Sequence, residues 1–150
     1  MGPWTLLLST TLASAPMAPW PADLQPLLAA LNRHRFTLKL QPPPRRGVYG
    51  LFDPTRRMIW VAPVTLELGI ARQTLLHEAT HAAQSCPGGV VHPIGWKLPL
   101  SPVIEREITR ITHSNYGSQQ LAIEREAFSM QGQNNAVALI VQALDKRCHR

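Results

Sequence analysis

The segment His77-Glu78-Ala79-Thr80-His81 puts two histidines four residues apart, with a glutamate directly after the first. In a helix, residues i and i+4 stand one above the other, so two imidazole nitrogens can reach a single zinc ion at roughly 2.0–2.1 Å each. Glu78 is turned by about 100° around the axis, where it can take a proton from a water on that ion without occupying a coordination position. The pattern arises by shuffling this composition in roughly one chain in a hundred, so it needs support from its surroundings. Leu75, Ala79, Ala82 and Cys86 supply an apolar stripe on the same helix, and Thr74, His77, Glu78, His81 and Ser85 a polar one. That division packs one side of the helix and turns the histidines toward a cleft.

A catalytic zinc takes three protein ligands and leaves one position open. His92 and His113 lie in or beside loops with no motif around them. The stronger candidate is the acidic helix that includes Leu121-Ala122-Ile123-Glu124-Arg125-Glu126-Ala127-Phe128. On a helical projection Glu124 falls between Ala127 and Phe128 in the apolar arc, while Glu126 falls between Ser129 and Gln119 at the polar edge. A carboxylate facing the core is costly unless it is paired or binds a cation. Glu124 is therefore the expected third ligand and Glu126 the alternative, the bland reading being two solvent-facing helix charges.

His77-Glu78-Ala79-Thr80-His81 followed by a glutamate on a later helix resembles the gluzincin branch of the zincin-type metallopeptidases. The metzincin continuation is absent, because Gln84 stands where its glycine would be and Pro87 where its third histidine would be. In gluzincins the third ligand often opens the pattern Glu-x-x-small-Asp. Glu124-Arg125-Glu126-Ala127 matches with Phe128 in place of the aspartate, and Glu126-Ala127-Phe128-Ser129 matches with Met130 in its place. In either register the acid that usually orients a zinc histidine is missing. The likeness spans the region from Gly47 to Gln131.

The resemblance implies a zinc-dependent hydrolase acting on peptide or protein substrates, in which Glu78 takes the proton of the zinc-activated water and passes it to the leaving amine. Tyr116 and His113 are the nearest donors for the tetrahedral oxyanion, with Tyr116 preferred. The rival expectation is a zincin-fold binding or structural module without catalytic activity.

These residues need a scaffold, and the chain predicts an α+β one: a small antiparallel sheet packed on a helical bundle, zincin-like. A first helix should run from the Ala22-Asp23-Leu24 region to about Arg35, and a strand from Phe36 to Leu40, stopped by Pro42-Pro43-Pro44. Gly47 to Phe52 and Met58 to Ala62 read as a hairpin about Asp53-Pro54. A central helix from Leu66 to Cys86 follows, with Thr65 as N-cap and Pro87-Gly88-Gly89 as stop. Ser101 and Ser118 are expected caps of helices reaching about Ile111 and Gln131, and a break at Gly132 to Asn135 precedes a last apolar helix.

The expected organisation is a Pro-rich apolar arm over residues 1–21, with a signal-like stretch from Trp4 to Ala15, followed by a metallopeptidase domain over 22–150. The first basic residue is Arg33, which disfavours a signal peptide and favours a cytoplasmic protein over an exported one. No apolar run reaches the roughly 18 residues of a membrane span. The net charge of +6 falls in scattered pairs such as Arg45-Arg46 and Arg56-Arg57, read as solvated surface, and no specific nucleic-acid partner is expected. Cys86 and Cys148 fit either one bridge or two buried thiols.

Overall fold

The computed structural model describes residues 20–113 and 117–149, with the side chains of 111–113 and 118 outside the description. A 3-10 turn at Ala22–Leu24 leads into α1, Gln25–Arg33. Strands β1 (Thr37–Leu40), β2 (Gly50–Asp53) and β3 (Met58–Val61) come next, then the short α2 (Val64–Glu67) and the central α3 (Ala71–Gln84). Helices α4 (Pro102–His113), α5 (Ser118–Gln131) and α6 (Ala136–Arg147) complete the elements of the described residues. The expected arm lies outside the described residues but for its last two, and no described helix is long and apolar enough to cross a membrane.

The architecture is α+β, and its sheet is mixed where an antiparallel one was expected. Strand order is β1-β3-β2, with β2 antiparallel and β1 parallel to β3. The cause lies in Pro42-Pro43-Pro44, whose missing N–H groups keep the chain out of any ladder after Leu40. The chain therefore crosses to the far side and re-enters at Gly50, leaving the middle position to β3. The β2–β3 hairpin is closed by Asp53, whose Oδ1 accepts from the backbone N–H groups of Thr55 and Arg56 at 2.9 and 3.0 Å. Ile59 and Val61 carry the sheet into the core.

The expected single helix from Leu66 to Cys86 is interrupted. Gly69 adopts φ +69°, the left-handed conformation that glycine reaches without steric cost, and Ile70 N–H returns to the Thr65 carbonyl at 2.9 Å. Thr65 is not a cap but sits buried inside α2, its hydroxyl donating to the Ala62 carbonyl at 2.6 Å. Ser118 is likewise the first residue of α5, with Gly117 as N-cap, whereas the Ser101 hydroxyl does accept from Ile104 N–H at the start of α4.

Helix α3 is the hub, packed against α5, α6, β2 and β3. Leu75, Leu76, Ala79, Ala82 and Ala83 are fully buried, and so are Thr80 and Gln84, so most of its circumference is covered rather than one stripe of it. Its small alanines let neighbouring helices approach closely. Thr80 keeps a hydroxyl in this interior by donating to the Leu76 carbonyl at 2.8 Å. At the C-terminal end Cys86 is bridged to Cys148 after α6, and Arg147 donates to the carbonyls of Ala83 and Cys86. Cation and bridge together anchor the end of α3, satisfying carbonyls that the last helical turn leaves open.

Candidate metal centre

Helix α3 presents His77 and His81 on one side, and α5 lies across that side. The side chain that α5 brings to the histidines is Glu124. His77 Nε2 and His81 Nε2 are 3.1 Å apart, and the Glu124 carboxylate oxygens lie 3.2 Å from the first and 3.5 Å from the second. Two atoms each bound to a tetrahedral zinc at about 2.0–2.1 Å are separated by about 3.3 Å, close to the spacing of the two nitrogens and of each nitrogen from its nearer carboxylate oxygen, and one atom from each of the three side chains falls within 4.8 Å of the others. Glu126 is not among them.

The remaining ring nitrogens explain why the ε nitrogens are free to converge. His81 Nδ1 lies 2.7 Å from Gln84 Oε1, and His77 Nδ1 lies 3.2 Å from Gln131 Oε1. An amide oxygen can only accept, so each Nδ1 carries a proton, and each imidazole in its neutral form keeps the lone pair on Nε2. Two imidazole nitrogens and a carboxylate directed at one region fit a divalent transition-metal cation, zinc among them. The glutamine oxygens also fill the orienting role for which the sequence offers no aspartate at Phe128 or Met130.

Electrostatics follow the same geometry. Burial works against ionisation of Glu124, but hydrogen bonds and charge from His77 and His81 outweigh it and hold the carboxyl well below its ordinary range. Burial disfavours a charged His81, and the Glu124 carboxylate, Glu78 and Gln84 overcome it, so the imidazole is raised. Burial raises Glu78, with Glu124 adding to the rise and the two histidines opposing it. A buried carboxylate raised toward neutrality suits a proton acceptor.

Glu78, His77, His81 and Glu124 border a cleft of about 330 Å³ whose opposite wall is β2 with Val48 and Arg45. Here β2 and α3 approach so closely that a Cβ built on Gly50 would meet Glu78 Oε1 at 2.6 Å and Thr74 Cγ2 at 2.7 Å. Gly50 is thus required by contact, which no local pattern in the sequence announces. Arg45, read from sequence as solvated surface, is exposed but lines this cleft.

The helical projection misjudged the two glutamates' surroundings. Glu126 was placed at a polar edge with Ser129, yet both are buried, while Glu124 retains some exposure to the cleft. The projection assumes one buried face, whereas α5 is covered by α3, by α4 and by the loop around residues 94–96. His92 lies outside the cluster, its Nδ1 near Gln119 Nε2 at 3.2 Å. Tyr116 and the side chain of His113 fall outside the described residues.

Searches against protein-family models, curated proteins and solved structures find no match to this chain.

Proposed function

We propose that this protein is a zinc-dependent hydrolase, a peptidase, whose ion is held by His77, His81 and Glu124. The observation that carries the reading is the convergence of two Nε2 atoms, 3.1 Å apart, on a carboxylate whose two oxygens lie 3.2 and 3.5 Å from them. A zinc ion there would supply Lewis acidity toward a carbonyl and toward water. Glu78 borders the same cleft without belonging to the triad, so it can accept a proton at its carboxylate and return it to a departing amine. A peptide is favoured because β2 pairs only with β3 among the described strands and lines the cleft through Gly50, Leu51 and Phe52. An extended chain can add to such an edge by main-chain hydrogen bonds.

Elemental analysis of the purified protein tests the metal: about one zinc per chain is expected, lost in the double variant His77→Ala, His81→Ala. Full occupancy in that variant would remove the site. Cleavage of a peptide library by the wild type, reduced about 10²-fold or more in Glu78→Gln with zinc retained, tests the chemistry. Zinc binding with no cleavage of any peptide would instead leave a metal-holding binding module.

A further inference from the structure

Glu126 is a buried carboxylate with four donors directed at it. Its Oε1 accepts from Ile94 N–H at 2.7 Å and from the Gln84 amide at 3.0 Å, and its Oε2 accepts from Gly95 N–H at 2.7 Å and Trp96 N–H at 3.1 Å. With both oxygens filled by donors, the group acts only as an acceptor. The Gln84 nitrogen also donates to the Ile123 carbonyl at 3.1 Å, another pure acceptor. The end of Gln84 that faces these two oxygens must therefore be its NH₂, whichever way the amide is drawn. Its oxygen is left facing His81 Nδ1 at 2.7 Å.

We propose that Glu126 is a positioning residue: by orienting the Gln84 amide it forces His81 into the Nδ1–H tautomer, which leaves Nε2 bare on the side of His77 and Glu124. The proposal rests on the metal reading for its purpose but not for its geometry, since the tautomer is a property of the chain without an ion. It gives α5 two tasks two residues apart, a ligand at Glu124 and the setting of another ligand's proton at Glu126. His77 has no equivalent device of this depth: Gln131, its partner, lies at a longer 3.2 Å.

Glu126→Gln reverses the logic. Its amide oxygen would serve Gly95 and Trp96, leaving an NH₂ against both the Gln84 NH₂ and the Ile94 N–H. Turning the Gln84 amide over relieves the clash with residue 126 and costs its bond to the Ile123 carbonyl, so its orientation is no longer fixed; in the turned form His81 Nδ1 must accept and Nε2 takes the proton.

The experiment is long-range ¹H–¹⁵N spectroscopy of the imidazoles in the metal-free full chain, paired with Zn²⁺ titration against a competing chelator. At a pH above the titration of His81, where its ring is neutral, it should be the Nδ1–H tautomer in the wild type and shift toward Nε2–H in Glu126→Gln, with zinc affinity reduced about 10–100-fold. The exchanged pair Gln84→Glu with Glu126→Gln restores an acceptor opposite Nδ1 and should restore the Nδ1–H tautomer. It serves as the test where Glu126→Gln alone does not fold. An Nε2–H wild type, an unchanged tautomer in Glu126→Gln, or Nε2–H in the exchanged pair overturns the proposal. A tautomer switch in a chain that binds no zinc upholds it and removes the metal reading instead.

Discussion

Glu124 and Glu126 occupy the same helix two residues apart, and their surroundings make them different chemical objects. Glu124 faces two imidazoles at the edge of an open cleft and has no backbone donor among its described contacts, so its oxygens remain available to a cation. Glu126 faces three backbone N–H groups and an amide NH₂, so its environment is complete. The difference teaches that burial alone does not mark a metal ligand. The more deeply buried carboxylate is the one whose oxygens are already satisfied, and the more open one is left able to hold a cation.

The sharpest test of this contrast is Glu124→Ala. It removes one of the three proposed ligands, so zinc affinity should fall by more than the roughly 10–100-fold that losing a hydrogen-bond partner of a ligand costs. Chelator competition reads it directly, and a smaller loss than that of Glu126→Gln would invert the assignment of the two glutamates.

Gly50→Ala probes the cleft on the Glu124 side without touching a ligand. The added methyl would push against Glu78 Oε1, Glu78 Cγ and Thr74 Cγ2, all within 2.8 Å, so the base moves. Peptide cleavage should fall by up to about 10²-fold while zinc content stays at the wild-type level. Loss of zinc together with activity would show that β2 supports the triad and not only the base.

On the other side, Glu126→Ala strips the acceptor from four donors, the buried Gln84 amide and three part-buried backbone N–H groups. Unfolding free energy should drop by about 3 kcal/mol, measured by denaturant titration of the metal-free protein, where Glu124→Ala should change it far less. Equal destabilisation by the two substitutions would erase the distinction between a satisfied and an unsatisfied carboxylate.

The smallest effect is expected where a carboxylate meets a cation in open solvent. Arg72 and Asp23 are paired at 2.8 Å with both side chains exposed, and Arg72→Ala should cost under about 1 kcal/mol. A larger loss would mean that the surface pair carries weight the buried network was assigned.

The sequence by itself determined the pieces whose signals are local. A spacing of four puts His77 and His81 on one helical face whatever surrounds them, and Asp53-Pro54 followed by alternating apolar residues specifies a turn between two strands. The break at Gly132 and the apolar helix after it were legible for the same reason. Glu124 could be singled out because its flanking residues are apolar.

Tertiary structure decided everything that depends on what lies opposite. Three consecutive prolines announce that a strand ends but not that β3 will enter beside β1 in parallel. Gly69 is a permitted residue within a helix until Thr65 is drawn into the core and the chain has to turn. Gln84 reads as an ordinary polar residue near a helix end, and only the approach of α5 makes it the link between Glu126 and His81. The buried side of Glu126 was hidden because a helical projection sees one helix, whereas burial is set by every element that packs against it. Local geometry is written in short-range spacing; the proton on a histidine is set by the acceptor that folding places across from it.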